Sequence, residues 1–219
     1  MITKEQLVRY IDHSLLKPNL TNEDIINGCL YAKDLNCVSV CVNSNRVKMA
    51  YDVLKDTQTA VGTVVGFPSG AHTTYIKALE TEEAYKNGAT EIDMVIDIGA
   101  IRSGDIDYVR NDISEVVKSS PAIVKVILET AYLTDEEIIL GSKLCEEAGA
   151  HYVKTSTGFA HEGATIKNIL LMKNAVSDKM KIKAAGGITD LKFSLELIEA
   201  GCTRLGTSKT TQILAELDK

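Results

Sequence analysis

Three apolar runs of this chain each hold one lysine at their centre: VKVILET, HYVKTSTGF and KIKAAGG place Lys125, Lys154 and Lys183 at an even interval of 29 residues. An amine inside an apolar strand is costly unless it is paired or neutralised. The interval is about one strand, one helix and two loops, which is the unit of a βα repeat. The helix exits repeat as well. NGATEIDMV, AGAHYVKTS and AGCTRLGTS each run from a glycine through a small residue into an apolar strand, and such internal similarity marks repetition of one supersecondary element.

Read in order, the chain predicts eight strands: IDHSL, CVSVCV, AVGTVVGFP, EIDMVID, AIVKVILE, YVKTS, KIKAAGG and TRLGTS. Helices are expected between them. Thr21 with Asp24, and Thr134 with Glu137, are spaced as capping boxes, while Gly88, Gly149 and Gly201 suit helix ends. Runs of Val and Ile buried on both faces, alternating with helices, mean a parallel sheet. No glycine fingerprint follows the first strand, so closure into a (β/α)8 TIM barrel is expected over an open doubly wound sheet. The 219 residues suit one such domain, spanning 1–219.

The formal charge of −6 and the scattered basic residues give no nucleic-acid footprint. No run approaches the roughly 18 to 20 apolar residues of a membrane span, and the N-terminus lacks a signal-peptide core. Five cysteines with no CxxC pair suit reduced thiols, so a cytoplasmic protein is expected.

In a (β/α)8 barrel the chemistry sits at the strand C-terminal ends. The polar residues expected there are Asp12, Asn43, Asp93, Glu129, Thr155 and Ser156, together with the glycines after strands seven and eight. Lys125, Lys154 and Lys183, taken as lying at one register on neighbouring strands, would repel one another. Two amines about 6 Å apart at an effective dielectric of about 20 repel by roughly 2.8 kcal/mol. Desolvation acts in the same direction, so one amine becomes a usable nucleophile that can form a Schiff base. Each lysine could instead snorkel outward or pair with a carboxylate. Asp93 is the candidate proton relay, and Asp12 could serve similarly.

Gly186 and Gly187, and the GTSK run from Gly206 to Lys209, stand in the loops where such barrels hold phosphate. Glycine lets backbone N–H groups approach the oxygens, Ser208 adds a donor, and a helix N-terminus adds its dipole. Cys41, at the end of the second strand, is a supporting candidate or simply a small core residue. His13, His72, His151 and His161 show no metal-ligand spacing, and no Ser-His-Asp set or Walker loop is present. No metal is expected.

The motifs IDHSLLKP, CVNS, TVVGFPSG, EIDMVIDIGA, VKVILET, VKTSTGF, KAAGGI and RLGTS closely resemble the successive strand motifs of the deoxyribose-phosphate aldolase family. The resemblance implies a (β/α)8 class I aldolase that reversibly cleaves 2-deoxy-D-ribose 5-phosphate to D-glyceraldehyde 3-phosphate and acetaldehyde, with neither a metal nor an organic cofactor. It makes Lys154 the Schiff-base lysine, Lys183 the neighbour that tunes it, and Asp93 the proton donor and acceptor. The phosphate contacts of the family fall on Gly158, Gly186, Gly187, Gly206 and Ser208. Lys125, Asp12 and Cys41 remain as supporting candidates.

Two places depart from the family's pattern. Lys209 stands where some members carry a second serine, and the chain ends at LAELDK where some members have a tyrosine-tipped tail. The expected partner is a small phosphorylated sugar, with neither nucleic acid nor membrane, in a homodimer or homotetramer. The alternatives are a Schiff-base aldolase for another phosphorylated sugar, a non-catalytic barrel that binds a phosphorylated ligand, and a metal-dependent aldolase.

Overall fold

The computed structural model describes residues 2–217. Met1, Asp218 and Lys219 lie outside the described residues, so the last two positions of the LAELDK end do too. The strands are β1 (Ile11–Leu15), β2 (Ser39–Val42), β3 (Ala60–Val65), β4 (Glu91–Val95), β5 (Ile123–Ile127), β6 (Tyr152–Lys154), β7 (Lys181–Ala185) and β8 (Arg204–Thr207). Each pairs in parallel with the next, and β8 pairs with β1, which closes the barrel. The (β/α)8 expectation therefore holds.

The helices are α1 (Lys4–Val8), α2 (Asn22–Asp34), α3 (Val47–Leu54), α4 (Thr74–Lys86), α5 (Ile98–Arg102), α6 (Ile106–Lys118), α7 (Asp135–Glu147), α8 (Ile166–Ala175), α9 (Leu191–Glu199) and α10 (Thr210–Leu214). Thr21 with Asp24 and Thr134 with Glu137 form the reciprocal side-chain and backbone bonds of capping boxes. A third box, Thr3 with Gln6, opens α1. α5 was not expected from the sequence. It has five residues, one of them Gly99, and Asp97 caps it through the Ala100 amide, so its helical signal is short and diluted. None of the described helices is long and apolar enough to cross a membrane.

Apolar side chains fill the layer between strands and helices. Ile92 and Met94 of β4, Val124 and Val126 of β5, Val153 of β6 and Ile182 and Ala184 of β7 all belong to one buried cluster. Strand side chains alternate between faces. The residues between these apolar positions therefore point into the barrel, and they are Glu91, Asp93, Lys125, Lys154 and Lys183, every one buried. Barrel interiors are ordinarily packed with Val, Ile and Leu. This one is packed with charge.

The register corrects one expectation. Lys154 pairs with Lys183, but Lys125 pairs with Tyr152 and Asp93, two residues deeper along the ladder. An even interval in the sequence does not fix a level in a barrel, because its strands are tilted and staggered. The three lysines are therefore not at one register.

Candidate active site

Four cations and three carboxylates occupy the barrel axis. Lys125 lies 3.1 Å from Asp12, 2.6 Å from Glu91 and 3.0 Å from Asp93. Lys183 lies 2.5 Å from Asp12 and 2.6 Å from Asp93. Arg204 reaches Asp12 at 2.6 Å and Glu91 at 2.9 Å. Lys154 has a single carboxylate, Asp93, at 2.7 Å. Seven charged groups held out of water in this way are tolerable only as a mutually paired set, and the set carries one positive charge too many.

The surplus falls on Lys154. Burial is the largest influence on its amine and, with the nearby Lys183, outweighs Asp93, so its pKa lies below the ordinary lysine range. Burial also opposes the ammonium of Lys183, but Asp12 and Asp93 overcome it and hold that pKa above the usual value. Lys125, with three carboxylates around it, is held well above. On the acidic side burial resists ionisation of Asp12 and Asp93, yet the lysines win and both stay below the usual carboxylate range. The expected lowering is therefore found on one lysine only. Its leading cause is desolvation, with amine repulsion a smaller contributor.

Lys154 borders a cavity. That cavity, of about 400 Å³, opens at the strand C-terminal ends and is also lined by Thr157, Gly158, Gly186, Gly187, Gly206, Ser208, Lys17 and Lys209. All five expected phosphate residues thus share one space with the lysine. Gly186 and Gly187 take φ values of +87° and +75°, the left-handed region that glycine enters without steric cost. A Cβ at Gly206 would come within 3.2 Å of the Lys183 side chain, so this glycine leaves room for that lysine. α10, which follows the β8 loop, has only five residues and offers less helix dipole than expected.

The other candidates are placed differently. Cys41 is buried beside Leu16 and Val64 and does not line the cavity; burial pushes its thiol up to about 11. It is a core residue rather than a group within reach of a ligand. Thr155 is turned away and exchanges two 3.0 Å hydrogen bonds with the Ala185 backbone, while the Ser156 hydroxyl is buried without a partner. Asn43 lines a separate small cavity with Lys17 and Arg46. His13 donates or accepts at 2.8 Å with Thr210 and is pushed down to about 4 by burial. Among the described residues no three His, Cys, Asp or Glu side chains are grouped to hold a metal ion.

Three participants escaped the sequence reading. Glu91 precedes Asp93 by two positions and Arg204 opens β8, so a rule that a charge two residues from an inward charge shares its face would have found Glu91. Thr157 lies just past the end of β6, beyond the alternation, where no periodic signal operates.

A family model described as DeoC/LacD family aldolase matches residues 7–206. The chain is similar to the deoxyribose-phosphate aldolase of Caldanaerobacter subterraneus subsp. tengcongensis, at 47% identity over all of this chain and 98% of that protein. Among solved structures it is similar to the aldolase QR15, with a TM-score of 0.93 and 40% identity over 96% of this chain and 95% of that one. It is also similar to the deoxyribose phosphate aldolase of Aeropyrum pernix, described as having a unique tetrameric structure. There the TM-score is 0.91 and the identity 28%, over 99% of this chain and 93% of that one.

Proposed function

Because the chain belongs to the DeoC/LacD family of aldolases, we propose that it is a class I aldolase that reversibly cleaves 2-deoxy-D-ribose 5-phosphate to D-glyceraldehyde 3-phosphate and acetaldehyde. The observation that carries this reading is the position of Lys154: an amine of lowered pKa in a cavity that the glycine loops of β7 and β8 also line. An amine that is neutral near neutral pH is a nucleophile for an aldehyde. Exposed backbone amides in glycine turns suit a phosphate.

The steps follow from these placements. The Lys154 amine adds to C1 of the open-chain sugar, and loss of water gives an iminium, which withdraws electrons from C2. A base takes the proton of the C3 hydroxyl, the C2–C3 bond breaks, and its electron pair enters the iminium to form an enamine. Glyceraldehyde 3-phosphate departs with C3 to C5. Protonation at C2 and hydrolysis then release acetaldehyde and the free amine. In this reading Asp93, hydrogen-bonded to both Lys154 and Lys183, takes the first proton and returns it through water. The ammonium of Lys183 helps hold the Asp93 pKa down and, after burial, adds to the lowering of the Lys154 pKa. Lys125, Glu91, Asp12 and Arg204 hold these groups in place.

Borohydride added with 2-deoxyribose 5-phosphate should leave a reduced adduct on the peptide containing Lys154. Labelling elsewhere, or no adduct, would overturn the assignment. Product analysis separates this substrate from other phosphorylated sugars. We read the continuous barrel as one domain, the five buried free thiols as fitting the cytoplasm, and the activity as part of deoxyribose phosphate breakdown. A homodimer or homotetramer fits the general preference for closed symmetric assemblies, and light scattering tests it.

A further inference from the structure

Among the described residues only two other than glycine adopt positive φ, Asn36 and Glu129. Asparagine tolerates that region, so Asn36 needs no special account. Glutamate does not. Glu129 follows β5 with φ +55° and ψ +63°, and its side chain makes no capping bond to the turn it begins. A strained backbone at a site mouth persists when the surroundings enforce it, and it points to a role.

The strain aims the carboxylate at one neighbour. Both Glu129 oxygens accept the Thr157 amide, at 3.3 and 3.2 Å, and Oε2 also accepts the Thr157 hydroxyl. That hydroxyl in turn accepts the Phe159 amide at 3.0 Å. A threonine hydroxyl has one hydrogen and two lone pairs. Its hydrogen is committed to Glu129 and one lone pair to Phe159, which leaves a single lone pair. Thr157 lines the Lys154 cavity, and Glu129 lies behind it, bordering a second cavity with Arg102 and Tyr132.

We infer that Glu129 is a positioning residue that locks the Thr157 hydroxyl as a hydrogen-bond acceptor, and that this acceptor selects sugars bearing a hydroxyl at C4. The inference rests on the aldolase reading above. In open-chain 2-deoxyribose 5-phosphate the free hydroxyls are those at C3 and C4, and the C3 proton goes to Asp93. The C4 hydroxyl is the remaining donor, on the carbon between the cleaved end and the phosphate. A site with a buried group reserved for a hydroxyl rejects the analogue lacking it, because the reserved group is left unpaired.

The test runs in the synthetic direction with acetaldehyde and two phosphorylated acceptors, glyceraldehyde 3-phosphate and 3-phosphooxypropanal, which lacks the hydroxyl that becomes C4. The native protein should favour glyceraldehyde 3-phosphate in kcat/KM by tenfold or more. In Glu129→Gly, at a backbone angle that suits glycine, the carboxylate is gone, the Thr157 hydroxyl is free to turn its hydrogen toward the ligand, and that preference should fall at least tenfold. Glu129→Asn, which tolerates the same backbone angle with a side chain one carbon too short to reach Thr157, should do the same if the glycine variant folds poorly. Equal losses with both acceptors, or an unchanged preference, would overturn the inference. Borohydride trapping of acetaldehyde on Lys154 in the same preparations reports separately on the Schiff-base reading: a missing adduct in the native protein would sink that reading, whereas a changed or unchanged preference bears on Glu129 alone.

Discussion

At the scale of single residues, the barrel interior sets two neighbours of Lys154 in opposition. Lys183 lowers its pKa and shares Asp93 Oδ2 with it, whereas Asp93 raises it. Lys183→Met should therefore raise the Lys154 pKa and move the acid limb of the kcat/KM profile to higher pH. Asp93→Asn should move the same limb to lower pH, while kcat falls by about 10²- to 10⁴-fold for loss of the proton relay. Rate profiles of the two variants check this, and limbs that shift in the same direction would contradict it. Lys209 borders the cavity beside Ser208 and forms no ion pair among the described residues. Lys209→Ser should raise KM for the phosphorylated sugar a fewfold at low salt and leave KM for unphosphorylated deoxyribose alone, because an exposed charge is screened by salt. The sequence made Lys154, Lys183 and Asp93 legible because each is a charge inside an apolar run. It did not reveal that Lys125 is saturated by carboxylates, since its three partners come from β1 and β4, and spacing along the chain does not announce which interior side chains meet.

Among the elements, α4 and α6 are joined by an ion pair that the sequence did not announce. Lys77 and Asp112 are wholly buried and 2.6 Å apart, and Thr74 adds a 2.8 Å bond to the same carboxylate. Lys77→Met leaves Asp112 buried without its charge partner and should cost about 3–5 kcal/mol. Lys77→Met with Asp112→Leu should recover much of that loss, and urea midpoints compare the two. Helix positions were readable where a capping box or a terminal glycine marked them, as at Thr134 and Gly149. α5 was not, because five residues give too little periodicity. Strand order was readable from the βα repeat, but stagger was not: register depends on strand tilt, which leaves no mark on spacing along the chain.

For the molecule as a whole, the interior charges tie stability to pH at both ends. Asp12 and Asp93 have folded pKa values below the roughly 3.9 of an unfolded aspartate, so their contribution is present above that pH and is lost as pH falls toward the folded values. Lys125 and Lys183 have raised values, so theirs is present below about 10.4 and is lost as pH climbs through the folded values. Urea midpoints should therefore form a plateau around neutrality and fall on either side, and a midpoint that holds steady from about pH 6 down to about pH 2 would contradict the pairing. The cavity has a consequence of another kind. Lys154 and the glycine loops proposed to hold phosphate stand on β6, β7 and β8 of a closed ring that cannot splay, so the span between them is fixed. The protein should therefore discriminate by backbone length, and kcat/KM across phosphorylated 2-deoxy aldoses of four, five and six carbons should peak sharply at one of them.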